Sequence, residues 1–404
     1  MRTIFTYLRG DRVIWVITFF LCMASLLVVY SSTGSLAYKQ AGGNMFYYLT
    51  RQGIFIVIGL GAAYGVHLIP HGIFYRLSQV FYFLSIPLLL YTLMRGASIN
   101  EAARWISLPG GLSFQTSDLA KMALIMYLAT QLSQRNHDVK DLRKGFIPLM
   151  IPIVVTCSLI LPANFSTAAL LFVISIILLF IGRVRIRHLM TLAGIGLIAI
   201  SLFVVVAINS PDTGRVGTWK RRIENFISKD GDNFQADQAK IAIATGGILG
   251  KGPGQSVQRN VLPHPYSDFI FAIIVEEYGF LVGLIIMGLY LTLLFRSVAL
   301  IRKCKRTFSA FLVAGMVLLI VIQAFAHIGV CVGVFPVTGQ TLPMISMGGT
   351  SMLITGVQLG VLLSVSRSVL EVKKQPTNDL DPTFENEPTE EIYNDGDNTE
   401  TIID

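Results

Sequence analysis

The stretch HPYSDFIFAIIVEEYGF, residues 264–280, places three carboxylates in an otherwise apolar run. Asp268 stands where the run begins, and Glu276 and Glu277 stand further inside it. Ionisable side chains are costly inside a membrane and usually mark a functional site. Asp268 could be a general base toward a hydroxyl group. It could also cap the helix that follows it, and these residues alone favour the cap.

The two glutamates raise a separate question, because neither has a basic neighbour in sequence. On a continuous helix Glu276 would lie roughly 12 Å deeper than Asp268. We therefore expect the partners of the glutamates to come from other helices, or the carboxyl groups to stay protonated. At least one of them is expected to face a polar cavity.

The elements that must position these groups are transmembrane helices. The chain of 404 residues is 53% hydrophobic and 14% charged, with a mean hydropathy of +0.63, which is typical of a membrane protein. Ten apolar runs predict an all-α polytopic fold, at about 14–34, 52–69, 76–94, 117–133, 147–162, 167–183, 189–208, 268–295, 308–330 and 350–366. The runs are continuously apolar, whereas barrel strands alternate.

The short basic loops set the orientation, since cationic loops stay in the cytoplasm. With ten spans and both termini cytoplasmic, the basic segments fall on one side of the cytoplasmic (inner) membrane. One large extracytoplasmic loop, about 209–267, then joins spans 7 and 8. Residues 1–374 are predicted to form the integral membrane domain. Residues 375–404 hold ten Asp and Glu with no Lys or Arg and are predicted to be a disordered cytoplasmic tail, more simply a solubilising extension than a partner-binding motif.

Further polar residues lie at the predicted outer ends of the spans. Asp118 and Lys121 share one helix face and form either a structural ion pair or part of a site. The guanidinium of Arg104 suits a phosphate oxygen. The segment 327–352, rich in proline and glycine, breaks helix and is expected to be a re-entrant wall of the same cavity.

The long loop carries Gln235 and Gln238 three residues apart, and the turn ILGKGPG with Lys251. This turn does not match a phosphate-binding loop, because Thr245 stands where the first glycine belongs. Its backbone N–H groups could still meet an anionic group. Nucleic acid is a poor partner, since the sequence contains no module that reads it. The four cysteines are scattered singly and give no disulfide framework or metal-ligand spacing.

At these residues the chain resembles the SEDS family (shape, elongation, division and sporulation), over about residues 10–370. The resemblance is carried by five motifs: RWI (104–106), FQTSDLAK (114–121), GKGPGQSVQ (250–258), LPHPYSDFIFAIIVEEYG (262–279) and PVTGQTLPMISMGGTS (336–351). The intact SVQ favours the FtsW-type branch over the RodA-type branch. Together the motifs are highly specific, although none would be alone.

The resemblance implies a peptidoglycan glycosyltransferase that polymerises lipid II at the outer face of the membrane, for septal synthesis in cell division. It also implies a class B penicillin-binding protein and other division proteins as partners. The alternatives are a RodA-type elongation polymerase, a lipid II flippase built on buried carboxylates and broken helices, and an inactive scaffold. No cofactor is required by the sequence, and a divalent cation at Asp268 stays open.

Asp268 stands where the family has its essential aspartate, so the resemblance replaces the helix-cap interpretation with that of a catalytic base. Glu276 fits a structural or tuning role better than that of a second catalyst. The candidates for contact with the substrate are Arg51, Arg104, Asp118, Lys121, Gln235, Gln238, Lys251, His264, Glu276, Ser346, Gly348 and Gly349.

Several positions depart from the family pattern. Ser267 replaces Thr, and Asp118 replaces Glu, which shortens the reach to Lys121. The segment LPANFSTA puts Asn164 where the family often has a carboxylate, so we assign Asn164 no catalytic role. Further replacements are Pro265 and Tyr266 around the usual His, Met347 for Tyr and His327 for Asn.

Overall fold

A computed structural model describes residues 9–34, 36, 38, 44–99, 102–108, 112–209 and 234–372. The described residues form a bundle of long helices with one small sheet. In chain order the elements are α1 (Arg12–Ser32), α2 (Met45–Leu68), α3 (His71–Arg95), β1 (Ala97–Ile99), β2 (Ala102–Leu108), β3 (Leu112–Gln115), α4 (Thr116–Gln134), α5 (Ile147–Ile160), α6 (Phe165–Ile181), α7 (Ile186–Asn209), α8 (Phe234–Gly246), α9 (Ile270–Ile301), α10 (Thr307–Cys331) and α11 (Gly349–Val372).

Each of the ten apolar runs is occupied by a helix, so the prediction of an all-α polytopic membrane protein is confirmed. Within the described residues, seven helices are long and apolar enough to cross a membrane: α1, α2, α3, α5 together with the π-helical turn before it, α9, α10 and α11. Helix α6 and the first part of α7 are apolar but shorter. Helix α4 carries Asp118 and Lys121 and is buried along most of its length.

Short polar side chains start several of these helices. Asp11 accepts a hydrogen bond from the backbone N of Val13 at 2.9 Å and caps α1. Asn164 accepts one from the backbone N of Thr167 at 3.2 Å and caps α6. These side chains satisfy backbone donors that the first helical turn leaves without partners. The absence of a catalytic role for Asn164 stays a prediction.

Helices α2 and α11 pack closely because small residues face each other. Gly59 and Ala63 on α2 meet Gly356 and Gly360 on α11. A Cβ atom on Gly356 would lie 2.2 Å from the carbonyl oxygen of Gly59, so no larger residue fits without separating the helices. Small residues spaced four apart allow this backbone approach in membrane helices.

The first difference from the prediction is a three-stranded antiparallel sheet in the order β1-β2-β3, in a segment expected to be a loop. It lies against α3, α4 and α11. Trp105 pairs with Gln115 across β2 and β3. Arg104 lies in β2, and its side chain falls outside the described part of the structure.

The second difference is a break within α9. Gly279 adopts φ 86° and ψ 169°, a conformation that only glycine adopts readily. Residues 270–278 therefore form a separate, almost fully buried half-helix. Residues 280–301 continue alone for roughly 33 Å, enough to cross a bilayer. The predicted run 268–295 is therefore divided into two helices, and the break follows Glu276 instead of separating it from Asp268.

At the end of the bundle opposite Asp268, the first and last described residues of the chain lie close together. Arg296 at the end of α9 contacts Asp11 at 2.5 Å, and Arg9 lies 3.8 Å from Glu371 at the end of α11. Both ends of the described chain therefore lie on the same side of the bundle, as an even number of spans requires. Residues 210–233 of the large loop and the acidic tail 375–404 lie outside the described residues.

Candidate active site

Asp268 lies immediately before the half-helix of α9 and is half-buried. Its Oδ1 accepts a hydrogen bond of 2.8 Å from the hydroxyl of Ser267. Its backbone N donates to the carbonyl oxygen of His264 at 3.1 Å, and this turn fixes the start of the segment. The hydroxyl of Ser267 therefore orients the carboxylate of Asp268.

The segment 332–348 forms the facing wall and is not helical, as its prolines and glycines predicted. Ser346 Oγ donates to the carbonyl oxygen of Ser267 at 2.8 Å. The backbone N of Met347 donates to the carbonyl oxygen of Tyr266 at 3.0 Å. A Cβ atom on Gly339, whose φ is +66°, would lie 3.5 Å from Asp268 Oδ2. We call Ser267, Asp268, Gly339 and Ser346 the Asp268 cluster.

Buried side chains from several helices hold this wall in place. His327 Nδ1 lies 2.7 Å from the carbonyl oxygen of Gln340, so Nδ1 must carry the proton of the ring. Gln340 Nε2 donates to Thr167 Oγ1 on α6 at 2.6 Å, and Ser25 on α1 donates to the carbonyl oxygen of Ile345 at 2.9 Å. Protein groups therefore satisfy this irregular backbone.

Asp118 and Lys121 form the predicted ion pair, with 2.8 Å between Oδ1 and Nζ. Both side chains are almost fully buried, at 11% and 4% exposure. Lys121 Nζ also donates to Gln323 Oε1 at 3.1 Å. These contacts use two of its three donors. The pair borders a small pocket that Pro343 and Ser351 also line, so the shorter aspartate still reaches the lysine beside the wall.

Tyr266 and His264 lie at the outer edge of the cluster. His264 is exposed, and its Nδ1 lies 3.1 Å from the hydroxyl of Tyr266. Burial raises the pKa of Tyr266, and the neighbouring carboxylate of Asp268 raises it further. Its phenol therefore stays neutral at physiological pH and can donate a hydrogen bond near Asp268.

The first half of α2 carries a further cation. The guanidinium of Arg51 lies 5.7 Å from the centre of the Phe55 ring. That ring packs on Gly349, where a Cβ atom would approach it to 2.7 Å, and this explains the glycine. Gly348 immediately precedes α11 and lies next to Ser351.

Gln235 and Gln238 lie in the first turns of α8, which packs along α9. Gln235 is exposed and Gln238 half-buried. Within the described residues, no hydrogen bond joins either glutamine to the Asp268 cluster. Their assignment as substrate contacts stays a prediction.

Glu276 has partners that the sequence did not indicate. Lys251 Nζ lies 2.7 Å from Glu276 Oε1, and the partners of Glu277 include Ser31 and Arg259. The expectation that the partners come from other helices is met by Ser31 on α1, whereas both cations come from the Gly-rich loop before α9. Glu276 is fully buried, so the geometry gives it no contact with an open cavity.

The contacts of some other residues that shape the site could not be found from sequence. Ser256 and Gln340 lie in two of the five motifs and Thr167 in the segment LPANFSTA, but their uncharged side chains do not indicate which partners they contact. Gln323 lies outside these segments. In the described part of the chain, no group of three or more His, Cys, Asp and Glu side chains could hold a metal ion.

Fold and site together define a multi-pass membrane protein with a carboxylate at the end of a broken helix, facing a re-entrant wall. The family model "Cell cycle protein", FTSW_RODA_SPOVE, matches residues 11–371. The chain belongs to this family, which confirms the resemblance found in the motifs.

Individual relatives agree with this assignment. The chain is 31% identical to "Probable peptidoglycan glycosyltransferase FtsW" of Trichlorobacter lovleyi, over 91% of this chain and 95% of that protein. It is 33% identical to "Stage V sporulation protein E" of Bacillus subtilis, over 88% of this chain and 97% of that protein.

Solved structures share the fold over most of its length. A chain from "Structural coordination of polymerization and crosslinking by a peptidoglycan synthase complex" gives a TM-score of 0.70 at 27% identity, covering 89% of this chain and 98% of that one. The rod shape determining protein RodA of Thermus thermophilus gives 0.62 at 26% identity, covering 89% and 97%.

Proposed function

We propose that this chain is a peptidoglycan glycosyltransferase that polymerises lipid II, of the FtsW type and for septal synthesis. The observation that carries the proposal is Asp268, a half-buried carboxylate oriented by Ser267 and set against the re-entrant wall. The match to the family over residues 11–371 and the names of the relatives support the same activity.

In the reaction, a sugar hydroxyl of the acceptor attacks the anomeric carbon of the donor. A new C–O bond forms as the C–O bond to the lipid pyrophosphate breaks, and the hydroxyl proton passes to Asp268. A single displacement inverts the anomeric carbon, as the resemblance implies. The Ser267 hydroxyl donates to Oδ1 and holds the carboxylate in one orientation. General-base catalysis of this kind contributes typically 10²–10⁴-fold.

Fixed positive charge must meet the negative charge that grows on the leaving pyrophosphate. Lys121 is held in place by Asp118 and Gln323, and one N–H donor beyond those two contacts can point to the bordering pocket. Arg51 lies over the Phe55 ring, which packs on Gly349 directly after the wall. We assign these two cations, with Arg104, to the pyrophosphate groups.

A divalent cation at Asp268 fits only a site completed by the substrate. The described part of the chain offers no group of three or more His, Cys, Asp and Glu ligands there, and magnesium sites often combine one or two carboxylates with substrate phosphates and water. Such an ion would neutralise charge on the leaving group. The proton transfer to Asp268 does not depend on it.

The proposal extends to partner and location. The structural relative named for polymerisation and crosslinking supports pairing with a class B penicillin-binding protein that crosslinks the new strands, together with other division proteins. We place the chain in the cytoplasmic (inner) membrane with both termini in the cytoplasm, which puts Asp268 on the outer side. The acidic tail 375–404 then lies in the cytoplasm.

The test is polymerisation of labelled lipid II by the purified full chain, alone and with its cognate penicillin-binding protein. Wild type is expected to give glycan ladders, and Asp268→Asn to lower the rate by roughly 10²–10⁴-fold while keeping its thermal unfolding profile. Asp237→Asn, which removes an exposed carboxylate of α8, is expected to act like wild type.

Full activity in folded Asp268→Asn would overturn the general-base assignment. A lipid II flippase is the second candidate, because the wall is irregular backbone at the end of a broken helix. Transport of lipid II across liposome bilayers without any ladders would replace the polymerase with that function. Depletion that gives rounded cells instead of filaments would indicate a role in elongation.

A further inference from the structure

The Gly-rich loop that precedes α9 is bound to one buried carboxylate. Glu276 Oε1 accepts from Lys251 Nζ at 2.7 Å and from the backbone N of Val257 at 3.2 Å. Oε2 accepts from Ser256 Oγ at 2.5 Å and from the backbone N of Gln258 at 3.3 Å. A carboxylate has about four acceptor sites. All of them are used by the protein, so Glu276 has no capacity for a substrate hydroxyl.

The same loop also pairs with the backbone at the break in α9. The backbone N of Lys251 donates to the carbonyl oxygen of Glu276 at 2.9 Å. The backbone N of Gly252 donates to the carbonyl oxygen of Glu277, also at 2.9 Å. The backbone N of Phe280 donates to Gly247 at 2.9 Å. A break inside a helix frees backbone groups that need partners when buried. The loop supplies these partners, so the break and the loop are one unit.

Glycine is required where the two backbones approach. Gly250 has φ +82°, and a Cβ atom there would lie 2.3 Å from the carbonyl oxygen of Glu277. A Cβ atom on Gly279 would lie 2.2 Å from the carbonyl oxygen of Ile248. The motif GKGPG that suggested a phosphate loop is thus explained by contact with α9.

Glu277 fastens this unit to the outer end of α1. It accepts a hydrogen bond from the hydroxyl of Ser31 and one of 3.3 Å from the backbone N of Ser256. Arg259 Nη1 lies 4.0 Å from Glu277 Oε1 and donates to the carbonyl oxygen of Ser31 at 2.8 Å. The loop is therefore bound to two helices.

The loop then returns to the catalytic end of the half-helix. The backbone N of Leu262 donates to the carbonyl oxygen of Gln258 at 2.9 Å, and the backbone N of Asp268 donates to the carbonyl oxygen of His264 at 3.1 Å. The chain thus leaves α8 beside the end of the half-helix, crosses Glu276, and arrives at Asp268. Residues 256–258 therefore lie on the path of the chain that leads to Asp268.

We propose that Lys251 and Glu276 form a positioning pair for Asp268, in place of the substrate contacts assigned to them from sequence. The pair fixes the loop on the half-helix and thereby holds Asp268 against the wall. This inference rests on the proposed function, because its main readout is the polymerase reaction. Lys251 supports the proposal, since its ammonium is shared between Glu276 and Thr245 Oγ1, 2.9 Å away.

The test titrates lipid II against Lys251→Met, Lys251→Arg and wild type in the complex with the penicillin-binding protein. A misplaced catalytic group costs up to about 10²-fold. Lys251→Met is therefore expected to lower kcat by roughly tenfold to 100-fold with KM within about twofold of wild type. Lys251→Arg is expected to restore most of kcat. The matched control is Lys240→Met, since Lys240 pairs with exposed Asp237 at 3.2 Å.

Hydrogen exchange gives a second readout that does not depend on activity. In Glu276→Gln the backbone amides of Val257 and Gln258 are expected to exchange faster, with no change along α10. A higher KM with unchanged kcat in Lys251→Met would overturn the proposal and return Lys251 to substrate binding. Unchanged exchange in Glu276→Gln would also overturn it. Wild-type ladders that vanish in Asp268→Asn would leave the proposed function standing in either case.

Discussion

Two ion pairs with the same spacing show how burial decides the value of a charge. Asp118 and Lys121 are three residues apart and almost fully buried, whereas Asp237 and Lys240 have the same spacing at 55% and 50% exposure. An exposed pair is worth about 0–1 kcal/mol because water screens it. Removal of one partner from a buried pair leaves a charge without compensation.

Asp118→Asn is therefore expected to destabilise the protein by about 3–5 kcal/mol. Asp118→Glu keeps the carboxylate and should cost much less. The measurement is thermal unfolding in detergent, with Asp237→Asn as the matched control, expected within about 1 kcal/mol of wild type. Equal effects of the two asparagine substitutions would contradict a buried, functional pair.

At this scale the sequence could predict only contacts that are local. The spacing of Asp118 and Lys121 is sufficient to place both on one helix face. Lys251 and Glu276 are 25 residues apart, and their contact depends on how the loop folds back on α9. The same holds for Gln340 and Thr167, 173 residues apart, whose hydrogen bond fixes the wall.

Among the elements, the pairing of α2 with α11 depends on the absence of side chains. Gly356→Ala is expected to destabilise the bundle by about 1–3 kcal/mol, because the new Cβ would lie 2.2 Å from a backbone carbonyl that cannot move aside. Gly61→Ala on the exposed face of α2 meets no atom within 4 Å and serves as the control.

The measurement is again thermal unfolding of the purified chain. The control is expected to be neutral or slightly stabilising, since alanine favours helix over glycine by about 1 kcal/mol. If Gly356→Ala unfolded at the same temperature as Gly61→Ala, close packing of α2 on α11 would not limit stability.

Hydropathy predicted the helices because apolar length is a local property of the chain. It could not predict the break at Gly279, since Gly283 and Gly288 lie in the same apolar run without breaking the helix. What differs at Gly279 is the loop docked beside it. The strands β1 to β3 were missed for a related reason, because they are short and are supported by the helix ends beneath them.

For the whole molecule, the ion pairs at the ends of α1, α9 and α11 place both ends of the described chain on one side of the bundle. An experiment can test which side of the membrane this is. The proposed orientation puts Lys140 in the cytoplasm and Asp237 outside. In a chain whose four cysteines are replaced by alanine, Asp237→Cys is expected to react with a membrane-impermeant maleimide on intact cells. Lys140→Cys should react only after the cells are opened, and the reverse pattern would invert the topology.

The break at Gly279 also has a consequence for biogenesis. Residues 280–301 are long enough to enter the bilayer by themselves, whereas the nine residues before them are not. The half-helix is buried against the loop and α1, so it needs both of them for its place in the bundle. Under the proposed function, a chain in which this packing has not formed is expected to be inactive in the membrane, because Asp268 immediately precedes the half-helix.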